Sequence, residues 1–341
     1  MNDRSAGAWT VTLFGCAAFA SSLLLCLEAS AGPDHTLPLS IVADLALPGD
    51  TSRFDYASVD ATRHRLFVAH LGASEILVID TQTRDVVARI PDVSRVHGVL
   101  AVEQLDRVYA SATGTNEIVA IDAATLRIVA RIPGGRYPDG MAFAPQLRKL
   151  YVSDETGAAE TVIDAESNRR MATIELGGEA GNSQYDPASG HVFVNVQSRN
   201  ELIEIDPATD AIVARNHLPG ADGNHGLLIY PHRRLALIAC EQNNRLLVFD
   251  LAARVVTQTF PLGAGPDVLA ADEHAGVVYV ASESGVLDIF HVDSKVGHLA
   301  HARLAPNAHV VAVDPQTHLA YFPISNLAGH PVLRVARYTG R

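Results

Sequence analysis

Three cysteines, one tryptophan and 6% aromatic residues leave this 341-residue chain few rigid anchors. Cys16 and Cys26 fall in the apolar N-terminal stretch, which excludes a disulfide framework. Cys240 closes the apolar run LALIAC and is expected to be a buried, inert thiol. Basic residues are also scarce: 26 Lys and Arg against 38 Asp and Glu give a net charge of −12 with no basic stripe, which argues against a nucleic-acid partner. There is no G-x-S-x-G elbow, H-E-x-x-H pair, phosphate-binding glycine loop, dinucleotide fingerprint or C-x-x-C-H haem motif. Any site must be assembled from distant segments.

What the chain does have is a register that repeats every 42 to 44 residues. RLFVAHLGASEILVIDTQTRDVVARIP (65–91), RVYASATGTNEIVAIDAATLRIVARIP (107–133), KLYVSDETGAAETVIDAESNRRMATIE (149–175) and HVFVNVQSRNELIEIDPATDAIVARNH (191–217) are copies of one unit. Four short strands at this period predict an all-β, seven-bladed β-propeller of four-stranded antiparallel blades. Asp80, Asp122, Asp164, Asp206, Asp250 and, more loosely, Asp293 close the third strand of successive units. Their carboxylates are expected to cap the following turn, a structural role.

The last unit holds only three strands before Arg341, and LSIVADLAL (39–47) has the pattern of the missing outermost one. Pairing it with 332–338 closes the ring and removes two open sheet edges. Four or five buried aliphatic side chains are expected to hold this strand. Ahead of it, Arg4, the apolar run through Leu27 and Ala29-Ser30-Ala31 predict a signal peptide over 1–31, with an uncleaved anchor as the alternative. The remainder, 32–341, reads as a single propeller domain, periplasmic or secreted, with no membrane contact after signal cleavage.

The strongest functional signal is a ring. The same register position ahead of each first strand reads Asp55, His97, Asp139, Asn182, His225, Asp267 and His309, at intervals of 42 or 43. Every member is polar, and each should face the central channel. Arg53, Arg95 and Arg136 lie just before three of them and are expected either to grip an anionic ligand or to neutralise Asp55, Asp139 and Asp267. His70, Asp154 and Glu241 form a less regular candidate shell at the ends of the second strands. Mixed imidazole and carboxylate chemistry leaves room for a divalent metal in the channel without favouring it. The bland alternative is that the ring caps turns around a water-filled channel. His64, His191, His232, His274 and His318 fall in turns at the opposite end. His298 and His301, spaced by three on an extended strand, are expected to face opposite sides, which makes a shared metal improbable.

With RLFVAHLGASEILVID, KLYVSDETGAAETVIDAES, PDGMAFAP and VAVDPQTHLAYFP in view, residues 39–338 resemble the YncE-like family of exported propellers with YVTN-type repeats. The parent tetrapeptide is degraded here to FVAH, YASA, YVSD and FVNV. The resemblance implies a periplasmic seven-bladed propeller, not a particular activity. The function expected is non-catalytic binding of a small molecule or a periplasmic partner protein at the channel mouth. The alternative is a metal-assisted, lactonase-like hydrolase or lyase, with an ion near Asp139, His225 and Asp267.

Overall fold

The computed structural model describes residues 36–340, so the expected signal segment lies outside the described residues. The described residues form seven four-stranded sheets, a seven-bladed β-propeller, with three single turns of 3-10 helix. Blade 2 is representative: Val96–Val102 lines the channel, followed outward by Arg107–Ala112, Glu117–Asp122 and Ile128–Pro133. Core residues alternate along the middle strands and pack between neighbouring blades. Phe67 and Val78 of blade 1, for instance, share a cluster with Val108 and Val119 of blade 2. Cys240 is fully buried, and burial pushes its thiol up to about 11.

The recurring aspartates from Asp80 to Asp250 cap turns as expected, whereas Asp293 accepts instead from the Arg233 guanidinium at 3.0 Å. Asp80 Oδ1 accepts from the N–H groups of Gln82 (2.9 Å) and Thr83 (2.8 Å). Asp122 and Asp164 repeat the pattern. Hydrogen bonds to turn N–H groups hold all three carboxyls below the usual range.

Blade 7 is closed by both ends of the described residues. Leu39–Ala46 pairs antiparallel with His330–Tyr338, from Leu39 opposite Tyr338 to Ala46 opposite Val332. The expected burial is not there: Ile41 and Val42 are exposed at 47% and 37%, and only Leu47, just past the strand, is fully buried. This outermost strand has a blade on one side only. It is held by its ladder and by a two-pronged grip of the Arg334 guanidinium on Asp44, at 2.8 and 2.7 Å.

A second recurring feature lies on the outer strands. In blades 1 to 6 the pairing of third and fourth strands slips by one residue, a β-bulge that leaves Val87, Val129, Met171, Val213, Thr257 and Leu299 unpaired and exposed. The slip overturns the expectation for His298 and His301. Because Leu299 is the extra residue, His298 pairs with Phe290 and His301 with Asp288, and both imidazoles emerge on one face.

Candidate channel-mouth site

In blades 2 to 6 the first strand starts irregularly. The register slips between Val96 and Val99, Pro138 and Met141, Ala180 and Ser183, Asn224 and Gly226, and Pro266 and Val268. His97, Asp139, Asn182, His225 and Asp267 sit in these slips. The blades crowd together here: a Cβ on Gly98 would stand 2.3 Å from the Asp139 carbonyl oxygen, and one on Gly226 2.3 Å from that of Asp267. Glycine after the ring position is what lets adjacent blades approach so closely.

All seven ring residues are buried, Asp55 and His309 to 2% exposure. Most bound a cavity of about 280 Å³ at the channel mouth, with Tyr56 as part of its wall. Separations across it are short but too long for direct hydrogen bonds: His97 Nε2 to Asp55 Oδ2 is 3.8 Å, His225 Nε2 to Asp139 Oδ2 3.8 Å and His309 Nε2 to Asp267 Oδ2 4.0 Å. Asp55 Oδ2, Asp139 Oδ1 and His309 Nε2 have no hydrogen-bond partner among the described residues, although each is buried.

The imidazoles are oriented from behind. His97 Nδ1 lies 2.9 Å from the Arg95 carbonyl oxygen and His309 Nδ1 3.0 Å from that of Asn307. A carbonyl oxygen can only accept, so Nδ1 carries a proton in both, and Nε2 is the nitrogen turned inward. The Tyr137 hydroxyl donates to that of His97 at 3.1 Å; that of His309 is free among the described residues. His225 differs: its Nδ1 faces Gln197 Oε1 at 3.3 Å and its Nε2 the Tyr56 hydroxyl at 3.3 Å. Asp55, Asp267 and His309 offer ligand atoms within 4.8 Å of one another, as do His225, Glu241 and Asp267.

Burial and crowding reset the charges. Burial works against a cation at His225, but Glu241, Asp139, Asp267 and Glu155 overrule it and lift the imidazole to about 9. Burial pulls His97 down to about 4. Burial, opposed by His225, lifts Asp139 to about 7, and burial together with the charges of Asp267 and Asp139 holds Asp55 well above the carboxylate range. At neutral pH the basin therefore holds a histidinium at His225, a guanidinium at Arg53, a neutral imidazole at His97 and at least one protonated carboxyl, a mixture of donors and acceptors.

The arginines divide. Arg53 neutralises the ring, with Asp55 at 3.6 Å, Asp267 at 3.5 Å and Glu283 in closer contact. Arg95 lines the cavity. Arg136 does neither: its guanidinium bonds Thr156 Oγ1 at 3.1 Å and the Thr156 carbonyl oxygen at 2.7 Å, outside the basin. Asn182 accepts the Tyr56 hydroxyl and faces the deeper channel. Of the looser shell, Glu241 alone lines the basin. His70 is sealed between Phe54, at a ring distance of 4.4 Å, and Ser52 Oγ at 3.1 Å, while Asp154 accepts from Gly135 N–H and Thr161 Oγ1 at 2.8 and 2.6 Å.

The true second ring keeps Glu241 and elsewhere lies one residue further along. Thr113, Glu155, Gln197, Glu241 and Glu283 recur at 42 or 44 residues. Glu155 and Glu241 line the basin, Gln197 reaches His225, and Glu283 lies 3.6 Å from His309 Nδ1. The same periodicity that reveals the first ring reveals this one, read one residue later.

No protein-family model and no curated protein matches this sequence. Solved structures do resemble it in fold. Hydrazine synthase of Kuenenia stuttgartiensis superposes with a TM-score of 0.73 at 13% identity, over 85% of this chain and 97% of that one. Virginiamycin B lyase from Staphylococcus aureus gives 0.72 at 11% identity, over 87% and 99%. U3-55K gives 0.74 at 10% identity, over 86% and 98%. Likenesses this distant share the propeller and nothing finer.

Proposed function

We propose that this chain is an exported, YncE-like propeller that binds a small polar molecule in the channel-mouth basin without transforming it. The observation that carries the reading is the set of inward-facing buried atoms, Asp55 Oδ2, Asp139 Oδ1 and His309 Nε2, that lack partners among the described residues. A buried polar atom left unpaired costs about 1–3 kcal/mol, so a ligand supplying hydroxyl or ammonium groups would recover that energy at three points. A cavity of about 280 Å³ fits a molecule of sugar or amino-acid size rather than a protein segment. The degraded YVTN-type repeats and the apolar segment at 1–31 support export.

The test is thermal shift against small polar metabolites and peptidoglycan fragments, in the wild type and in a variant with His97, His225 and His309 changed to Ala. Binding that disappears in the variant is expected; binding indifferent to the three changes would remove this site.

One observation favours a second reading, a metal-assisted hydrolase or lyase. Asp55, Asp267 and His309 converge within 4.8 Å, two of them through atoms that lack partners, a donor set suited to a divalent ion. The ion would polarise a carbonyl held in the basin. It would sit on His309 rather than on His225, whose two ring nitrogens are both engaged. Turnover of lactones by wild type with added Mg, Ca, Mn or Zn, lost in Asp267→Asn, would establish it.

A further inference from the structure

The geometry points to a transition-metal site on the outer face of blade 6, built from Asp288, His298 and His301 and distinct from the channel mouth. His298 Nε2 lies 2.8 Å and His301 Nδ1 2.7 Å from the same oxygen, Asp288 Oδ1. The three ligand atoms lie within 4.8 Å of one another. Two imidazole nitrogens and one carboxylate oxygen converging from a single sheet face are a donor set that Zn(II), Cu(II) and Ni(II) take up readily.

Comparison among the blades shows that this is a departure from the repeat, and at three positions at once. The place of Asp288 is held by Leu77, Val119, Thr161, Ile203 and Leu247 in blades 1 to 5. The place of His298 is held by Val86, Ile128, Arg170, Ile212 and Val256, and that of His301 by Arg89, Arg131, Thr173, Arg215 and Thr259. Only blade 6 puts a carboxylate at the interior position, fully buried, and imidazoles at both outer ones. A buried carboxylate in place of an aliphatic side chain is unfavourable unless it is compensated.

The surroundings fix the ligands as a metal site requires. Asp288 Oδ2 accepts the Gly263 N–H at 2.9 Å, which holds the carboxylate with Oδ1 toward the histidines. His298 stacks on Phe290, with ring centroids 4.5 Å apart and planes inclined by 14°, and Phe260 closes the other side edge-on at 6.4 Å. The His301 side chain is 50% exposed, which leaves a solvent-side position for water or an external ligand. In a tetrahedral site with ~2.0–2.1 Å bonds, ligand atoms stand ~3.3 Å apart, so each N···O separation needs to open by only ~0.5 Å as the ion replaces the two shared protons.

The test uses full-length untagged protein, stripped with a chelator and titrated with ZnCl2 or CuSO4 by calorimetry, with EPR of the copper form. Expected are about one equivalent bound at micromolar or lower concentration and nitrogen hyperfine structure from two imidazoles. In His301→Ala, a change at an exposed side chain, affinity should fall at least tenfold and one nitrogen should be lost from the spectrum. His309→Ala at the channel mouth should leave both intact. Absence of binding, or binding unchanged in His301→Ala, would overturn the proposal. Binding abolished only by His309→Ala would also overturn it and place the ion in the channel.

Discussion

The Tyr56 hydroxyl of blade 1 crosses the channel to donate to Asn182 Oδ1 of blade 4 at 2.8 Å. It also lies 3.3 Å from His225 Nε2 of blade 5, and the ring separates the mouth basin from a deeper cavity of about 340 Å³. Where Tyr56 stands, other blades carry Gly98, Gly140, Ser183, Gly226, Val268 and Val310. One large side chain thus floors the basin because six small ones leave it room.

Replacing Tyr56 by Phe should leave Asn182 Oδ1 and one His225 nitrogen without their buried partner, at a cost of about 1–2 kcal/mol. Tyr56→Ala should cost about 3–5 kcal/mol and join the two cavities. Urea unfolding reads both. A Phe variant as stable as wild type would show that the hydroxyl does not tie the blades together.

A second prediction concerns Glu160, which is fully buried between blades 3 and 4. Its Oε1 accepts from Ser153 at 3.0 Å and from Ser183, while Oε2 has no partner among the described residues. Burial lifts this carboxyl to about 8. A folded-state value above the unfolded one means that the folded chain holds the extra proton. The stability it carries is therefore present in full below the ordinary pKa of 4.5 and lost as pH rises through about 8. Glu160→Gln should match wild type near pH 5 and melt at a higher temperature at pH 9. A constant difference between the two melting curves across that range would contradict the assignment.

The third prediction tests ring closure. Removing residues up to 47 takes away the ladder to His330–Tyr338, the buried Leu47 and the Asp44–Arg334 pair. Leu47 contributes about 1.5–3 kcal/mol and the half-exposed ion pair no more than about 1 kcal/mol, so the loss is a substantial share of the stability of a typical domain. The truncated chain should melt lower and associate through its open edge, while removal of residues up to 36 should change nothing. A monomeric truncation at 48 with an unchanged melting temperature would mean that blade 7 does not need this strand.

The architecture was legible because each element of it repeats: Asp80, Asp122 and Asp164 mark strand ends, and Asp55, His97 and Asp139 mark the channel, at one period. What escaped reading are departures from the repeat. Tyr56 hid among residues that elsewhere are small. Glu155 hid because the shell was read at Asp154, one residue early, and along a strand one residue is the difference between channel and interior. His298 and His301 hid because alternation holds only while the ladder is regular, and the bulge at Leu299 inserts one residue between them. The exposed flank of the closing strand is likewise invisible to composition, since Ile41 and Val42 are as apolar as any core residue.

Blade 7 also has a consequence in time. Blades 1 to 6 each join strands adjacent in sequence, so each can form as soon as its own segment is available. The seventh needs Leu39 and Tyr338, at opposite ends of the described residues. Contacts so distant in sequence are late and slow, because the intervening chain must already be arranged before they can reward it. Through all of that interval the first strand stands with its backbone N–H and C=O groups unpaired, and the nascent molecule is most open to association with others of its kind until Leu39–Ala46 and His330–Tyr338 have met.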